Sequence, residues 1–356
     1  MKKMLIVVAL ASVVGLLIAC QTQTAPVETP AAPAETVTVD RAVLAAFQPL
    51  PAVFESETNP ITEEKIKLGR MLYYDTRLSK AQTISCNTCH QLDKFGVDGK
   101  PVSTGHEGKT GTRNAPTVYN AAGHLAQFWD GREPDVEAQA KGPVLNPVEM
   151  AMPDEKYVLK VLNSMPEYVA AFKAAFPDDA EPLNYDNFGK AVGAFERKLV
   201  TPSRWDTYLK GDDAALTNDE KKGLLAFVQN GCTACHAGSL AGGAMYQKLG
   251  LVKPWPDESD LGRYQATKND ADKMYFKVPS LRNIAETGPY YHDGKVATLD
   301  DAVRMMADHQ LGRALDDEDL RLINAWLGAL TGDVPADYVA PPELPPSTDK
   351  TPPPSV

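Results

Sequence analysis

The chain has 356 residues and carries 36 lysines and arginines against 47 aspartates and glutamates, a formal net charge of −11. That acidic balance argues against a nucleic-acid partner, which needs a basic surface, and permits attraction to a positively charged partner without naming one. The length and the 43% hydrophobic content are enough for two domains of ordinary size.

In chain order, the first feature is a basic start, Met1-Lys2-Lys3, followed by an apolar run over 5–18 that is too short and wrongly flanked to span a membrane. It reads as an export signal. Leu17-Ile18-Ala19-Cys20 is similar to a bacterial lipobox, in which cleavage precedes the cysteine and its thiol carries diacylglycerol; an ordinary secretory signal that happens to contain Cys20 is the other reading. Gln21 and Thr22 resemble the start of lipoproteins passed to the outer membrane. Residues 1–20 are therefore assigned to the signal and lipid attachment, with a periplasmic location and an outer-membrane anchor expected. Loss of Lys2 and Lys3 leaves the mature chain more acidic still. Residues 21–45, rich in Pro, Ala, Thr and Glu at their start, read as a flexible tether.

Residues 62–72 predict a helix with Thr62 as its N-cap, and Cys86-Asn87-Thr88-Cys89-His90 follows. The same order recurs at 217–227, with Thr217 as N-cap, and Cys232-Thr233-Ala234-Cys235-His236. Both starts read as capping boxes. Cys-x-x-Cys-His is the signature of c-type haem attachment: two thiols add to the vinyl groups of one porphyrin, and the adjacent His becomes an axial iron ligand. Together the motifs use four of the five cysteines, leaving only Cys20 and no disulfide within the mature fold. A zinc ribbon does not require the following His twice, and a thioredoxin-like pair needs a βαβ context that this sequence lacks. Two covalent haem c groups are expected. In bacteria these are attached outside the cytoplasm, in agreement with an export signal.

Further helices are predicted over 155–161, 185–198, 299–307 and 316–330, while alternating apolar runs long enough for strands are scarce. The fold is read as mainly α, with two cytochrome c-like haem domains packed together. Their spans are 46–200 and 201–340, and a Pro-rich tail occupies 341–356.

The ordered set of Cys-x-x-Cys-His, Gly105-His106, Arg113-Asn114-Ala115-Pro116-Thr117, Phe128-Trp129-Asp130-Gly131-Arg132, Asn146-Pro147-Val148-Glu149-Met150, a second Cys-x-x-Cys-His and Pro289-Tyr290-Tyr291-His292-Asp293-Gly294 resembles the bacterial di-haem cytochrome c peroxidases over about 47–330. The resemblance implies that His90 ligates a peroxidatic haem whose resting distal ligand is His106. It implies Glu149 as acid-base catalyst, Gln139 as a second polar residue beside it, and Trp129 as the aromatic between the haems. It implies an electron-transfer haem on His236, with Met306 as sixth ligand, and one calcium ion on the side chain of Asn114 and the carbonyls of Thr287 and Pro289. Hydrogen peroxide, a small cytochrome c or cupredoxin donor, and a homodimer are the implied partners.

The residues themselves support some of this. A carboxylate beside a haem can shuttle a proton between peroxide oxygens, as Glu149 would. With Thr298 as N-cap, Leu299, Val303 and Met306 fall on one helical face, and Met305 lies about 100° away. Each residue also has an ordinary reading: a solvated loop for His106, a surface or capping role for Glu149, an exposed helical position for Gln139, and core packing for Trp129 and Met306. His292 is assigned to hydrogen bonding between domains, and His124 and His309 to surface or core. Two rival functions remain at this point. A di-haem maturation oxidase acting on tryptophans of another protein would place Tyr where Met306 stands, and a simple electron carrier would have no use for Glu149.

Overall fold

Each half of the chain is organised on a helix that precedes its Cys-x-x-Cys-His motif and crosses a second helix at a glycine. The computed structural model describes Met1 and residues 36–355, and from Val37 onward the chain forms one compact unit. In the first half, helix Glu63–Tyr74 packs on helix Tyr185–Glu196. At Gly69 a Cβ would lie 1.9 Å from the carbonyl oxygen of Ala191, so only glycine allows the approach. In the second half, helix Asn218–Gln229 packs on Asp317–Ala329, and a Cβ at Gly223 would lie 1.9 Å from the carbonyl oxygen of Leu322.

The helix starts differ in one respect from expectation. Thr217 forms the full capping box with Glu220, but the third helical residue after Thr62 is Lys65, so Thr62 accepts from the Lys65 N–H with no carboxylate to return the bond. The remaining predicted helices are present as Glu155–Asn163, Tyr185–Glu196, Leu299–Leu311 and Asp317–Ala329. Strand content among the described residues is one antiparallel pair, Tyr246–Lys248 with Tyr275–Lys277, in which Tyr246 lies opposite Lys277. The fold is mainly α.

The two largest apolar cores lie one in each half. Leu68, Leu72, Val158, Leu162, Phe172 and Phe188 lie in the first; Leu224, Phe227, Ile323, Trp205 and Trp326 lie in the second, where the two indoles meet edge to face at 5.5 Å. Arg282, fully buried, makes a two-pronged ion pair with Asp206 at 2.7 and 2.9 Å and so fixes the segment after the small sheet to helix Arg204–Leu209.

The chain ends depart from the tether and tail expected of them. Cys20 and residues 21–35 lie outside the described residues, but the last part of the 21–45 span is packed: Val39 and Leu44 are buried in the second core, and the Val37 N–H donates to Asn218. The apolar residues at 37, 39 and 44 are what a tether composition would not include. The 341–356 segment also docks, along the first half. Arg77 donates to Ser347, Thr348 to the Ser164 carbonyl, Gln82 to the Pro352 carbonyl, and the Ser355 N–H to the Lys80 carbonyl. Proline denies this segment helix and sheet without denying it side-chain partners. Among the described residues no helix is long and apolar enough to cross a membrane.

Candidate active site

The first motif forms a single helical turn, Cys86–Cys89, with Ser85 and Thr88 closing a reciprocal cap. The turn carries His90 at its end. The ring Nδ1–H of His90 donates to the Pro116 carbonyl at 3.0 Å, and Tyr73 O–H donates to the His90 carbonyl at 2.6 Å. The second motif begins at Gly231, whose φ of 88° turns the chain into Cys232–Ala234, and the Nδ1–H of His236 donates to the Ala241 carbonyl at 3.1 Å. Both rings therefore have Nε2 as the unprotonated, ligating nitrogen. Burial pushes both rings toward the neutral form, His236 down to about 4.

Each motif opens on a cavity. The one at Cys86, Cys89 and His90 has a volume of about 630 Å³, and the one at Cys232, Cys235 and His236 about 230 Å³. They share a wall made of Asn114, Pro116, Thr117, His124, Trp129 and Lys277. Trp129 is fixed there by an indole N–H bond of 2.9 Å to the Asn114 carbonyl.

Glu149 and Gln139 both line the larger cavity. Gln139 projects from helix Val136–Leu145, which Asp135 caps. Glu149 stands in the turn after that helix, where Asn146 Nδ2 donates to its Oε1 at 2.9 Å and the Val148 N–H donates to Asn146 Oδ1. Burial raises the Glu149 pKa, opposed by the Arg132 guanidinium and the Asn146 amide. His106 stands apart from this lining. Its ring is buried with Nδ1 unpartnered among the described residues, and its backbone N–H donates to the carbonyls of Val148 at 3.0 Å and Glu149 at 2.8 Å.

On the smaller cavity, Met306 is in the lining while Met305 packs against Trp255, Met274 and Phe276. Asn114, Thr287 and Pro289 line it as well. The Asn114 amide nitrogen donates to the carbonyls of Lys100 and Pro101, and among the described residues its Oδ1 accepts no hydrogen bond. His292 is buried, stacks on Phe276 at 4.3 Å, and accepts the Asn114 N–H on its carbonyl. His124 and His309 are both half-buried, His124 in the shared wall and His309 with its Nδ1 within 2.9 Å of the Pro254 carbonyl.

A family model described as di-haem cytochrome c peroxidase matches residues 63–214. Cytochrome c551 peroxidase of Pseudomonas aeruginosa is 47% identical over 316 residues, covering 86% of this chain and 90% of its own. The chain belongs to the di-haem cytochrome c peroxidase family. Cytochrome c551 peroxidase of Nitrosomonas europaea is 45% identical over 312 residues, covering 87% of this chain and 91% of its own. A solved structure of a MauG-like protein associated with microbial copper homeostasis has a TM-score of 0.71 at 27% identity, covering 82% of this chain and 97% of that one. As a cytochrome-c peroxidase, the protein is an oxidoreductase acting on peroxide, with two haem c groups.

The residues present fit those groups. Cys86, Cys89, Cys232 and Cys235 are all free thiols, and each adjacent His has one nitrogen committed to a carbonyl and the other available. This peroxidase also carries site residues that the sequence reading passed over. Glu196, at the end of its helix, is 5% exposed, lines the larger cavity and makes no side-chain hydrogen bond among the described residues; burial, then the nearby Glu137, push its pKa up to about 8. One signal was legible: Phe188 and Val192 precede it at eight and four residues, so helical phase puts Glu196 on a buried face. Lys277, by contrast, follows Phe276 in a three-residue strand whose pattern announces nothing.

Proposed function

We propose that hydrogen peroxide is reduced to two waters in the larger cavity, with electrons delivered by a small cytochrome c or cupredoxin to the smaller one. The observation that carries this reading is Trp129 in the wall of both cavities, with Glu149 and Gln139 on the larger one alone. Haem c groups held through His90 and His236 supply the one-electron redox chemistry when bound.

Cleavage of the O–O bond consumes two electrons and two protons. Glu149 takes the proton from the inner peroxide oxygen and returns it to the departing one; its burial, which favours the protonated form, suits it to receive that proton. Asn146 holds the carboxyl in place and the Gln139 amide orients the peroxide. Trp129 is the aromatic surface through which electrons pass between cavities. His106 is assigned to close the His90 site at rest and Met306 to complete the His236 site, since a thioether raises haem potential and suits a centre that collects electrons. Asn114 Oδ1 with the carbonyls of Thr287 and Pro289 would hold a calcium ion, a donor set of the right hardness.

Residues 46–200 would then be the peroxidatic domain and 201–340 the electron-transfer domain, a division supported by the matching glycine crossings at Gly69 and Gly223. The signal-like start supports export to the periplasm with a lipid anchor on Cys20, and family membership supports a homodimer. Met306, where the maturation oxidases place Tyr, speaks against that alternative, and the Glu149–Asn146 pair against a plain carrier. Peroxide turnover with a reduced small cytochrome, measured on fully oxidised and on half-reduced enzyme, tests the reading. Turnover in at least one state supports it, and none in either favours the carrier.

A further inference from the structure

Lys277 is 6% exposed and lies in the wall common to both cavities, yet no carboxylate is within ion-pairing distance of it among the described residues. Its one side-chain partner is the Nδ1 of His124 at 2.7 Å. An ammonium has three donors, so two remain unused. The other charged groups around the pair are already engaged: Asp130 is held by Arg113 and Arg132, and Arg113 also by Asp260. His124 adds a second orphan, a buried Nε2 with no partner among the described residues. Two unsatisfied nitrogen groups in one wall, one of them a cation, call for an anion with more than one acceptor oxygen.

We propose that Lys277, positioned by His124, pairs with a haem propionate at the shared wall and raises the reduction potential of that haem. This rests on the two cavities being haem sites. A propionate has the required charge and two acceptor oxygens, and a haem seated in either cavity reaches this wall. The strand register places Lys277 there: its N–H donates to the Trp129 carbonyl at 2.8 Å, so the ammonium stem and the indole emerge from adjoining backbone. A fixed positive charge beside a propionate offsets its negative charge and so favours the reduced, less positive iron.

Without an anion, burial pushes the Lys277 pKa down to about 7, and pairing would raise it again. The two cases separate by pH. A paired ammonium keeps its charge from pH 6 to 8 and loses it only as pH rises through a pKa above that window. An unpaired one loses it inside the window.

The experiment is spectropotentiometric titration of wild type, Lys277→Met, Lys277→Gln and Lys277→Arg holoprotein, each first shown to hold two haems. Lys277→Met should lower one midpoint by at least the equivalent of a tenfold change in the reduced-to-oxidised ratio, about 59 mV for one electron. Lys277→Gln should resemble it and decides the matter if Lys277→Met does not mature; Lys277→Arg should stay close to wild type. The wild-type minus variant difference should hold constant from pH 6 to 8. Unshifted potentials in both uncharged variants, or a difference that vanishes between pH 6 and 8, would overturn the pairing. A chain carrying fewer than two haems in the wild type would instead mean that the haem-site reading itself had failed.

Discussion

Trp129 and Asn114 are joined by one hydrogen bond, from the indole N–H to a backbone carbonyl at 2.9 Å, and both face the two cavities at once. The residue proposed to conduct electrons is therefore anchored to one proposed to bind calcium.

Trp129→Phe keeps an aromatic ring and removes that bond, at a cost of about 0.5–1.5 kcal/mol. Trp129→Leu also removes the ring. We expect both variants to retain two haems, with turnover falling further in Trp129→Leu, and stopped-flow transfer between the haems should slow in the same order. Unchanged transfer in Trp129→Leu would assign the residue to packing.

Met306→Leu should vacate the sixth position of the His236 haem or lower its potential, slowing electron entry, while Met305→Leu should not. The separation of the two side chains, one in the cavity wall and one against Trp255, motivates the contrast. The near-infrared signal of thioether-ligated ferric haem checks it; loss of that signal in Met305→Leu would reverse the assignment.

His106→Gly should be active in the fully oxidised state, without prior one-electron reduction. Glu107 at φ 54° and Gly108 at φ 74° give the loop a turn in the left-handed region, and a Cβ at Gly108 would meet nothing within 4 Å, so the turn itself has room to rearrange. An oxidised wild type that is already high-spin and fully active would remove the gate.

Gly69→Ala and Gly223→Ala should each destabilise the fold by roughly 1–3 kcal/mol, the range for an overpacked contact. The clash in both cases is with backbone, which cannot rotate away. Denaturant unfolding of holoprotein reads the effect, and a loss below about 0.5 kcal/mol at either position would mean that the helices separate easily there.

Much of this site was legible in the sequence because its chemistry is local. Cys-x-x-Cys-His specifies its own geometry, and a single helical phase separates Met306 from Met305. The docked 341–356 segment and the buried Val39 depend on which surfaces the rest of the chain presents, whereas the one-sided cap at Thr62 follows from local spacing alone, since Lys65 and not a carboxylate stands three residues on. Lys277 and Glu196 are plain surface residue types until folding buries them against a cavity. The ring of His106 is set by a loop whose backbone bonds go to Val148 and Glu149, partners about forty residues away that no pattern links to it.

The central claim is that Glu149 moves the proton in O–O cleavage, and Glu149→Gln tests it most directly because the amide keeps the size and can still bond to Asn146. Turnover should fall on the order of a hundred- to ten-thousandfold, with both haems, their ligand spectra and the melting temperature close to wild type. Retention of more than roughly a tenth of wild-type turnover with intact haems would contradict the account.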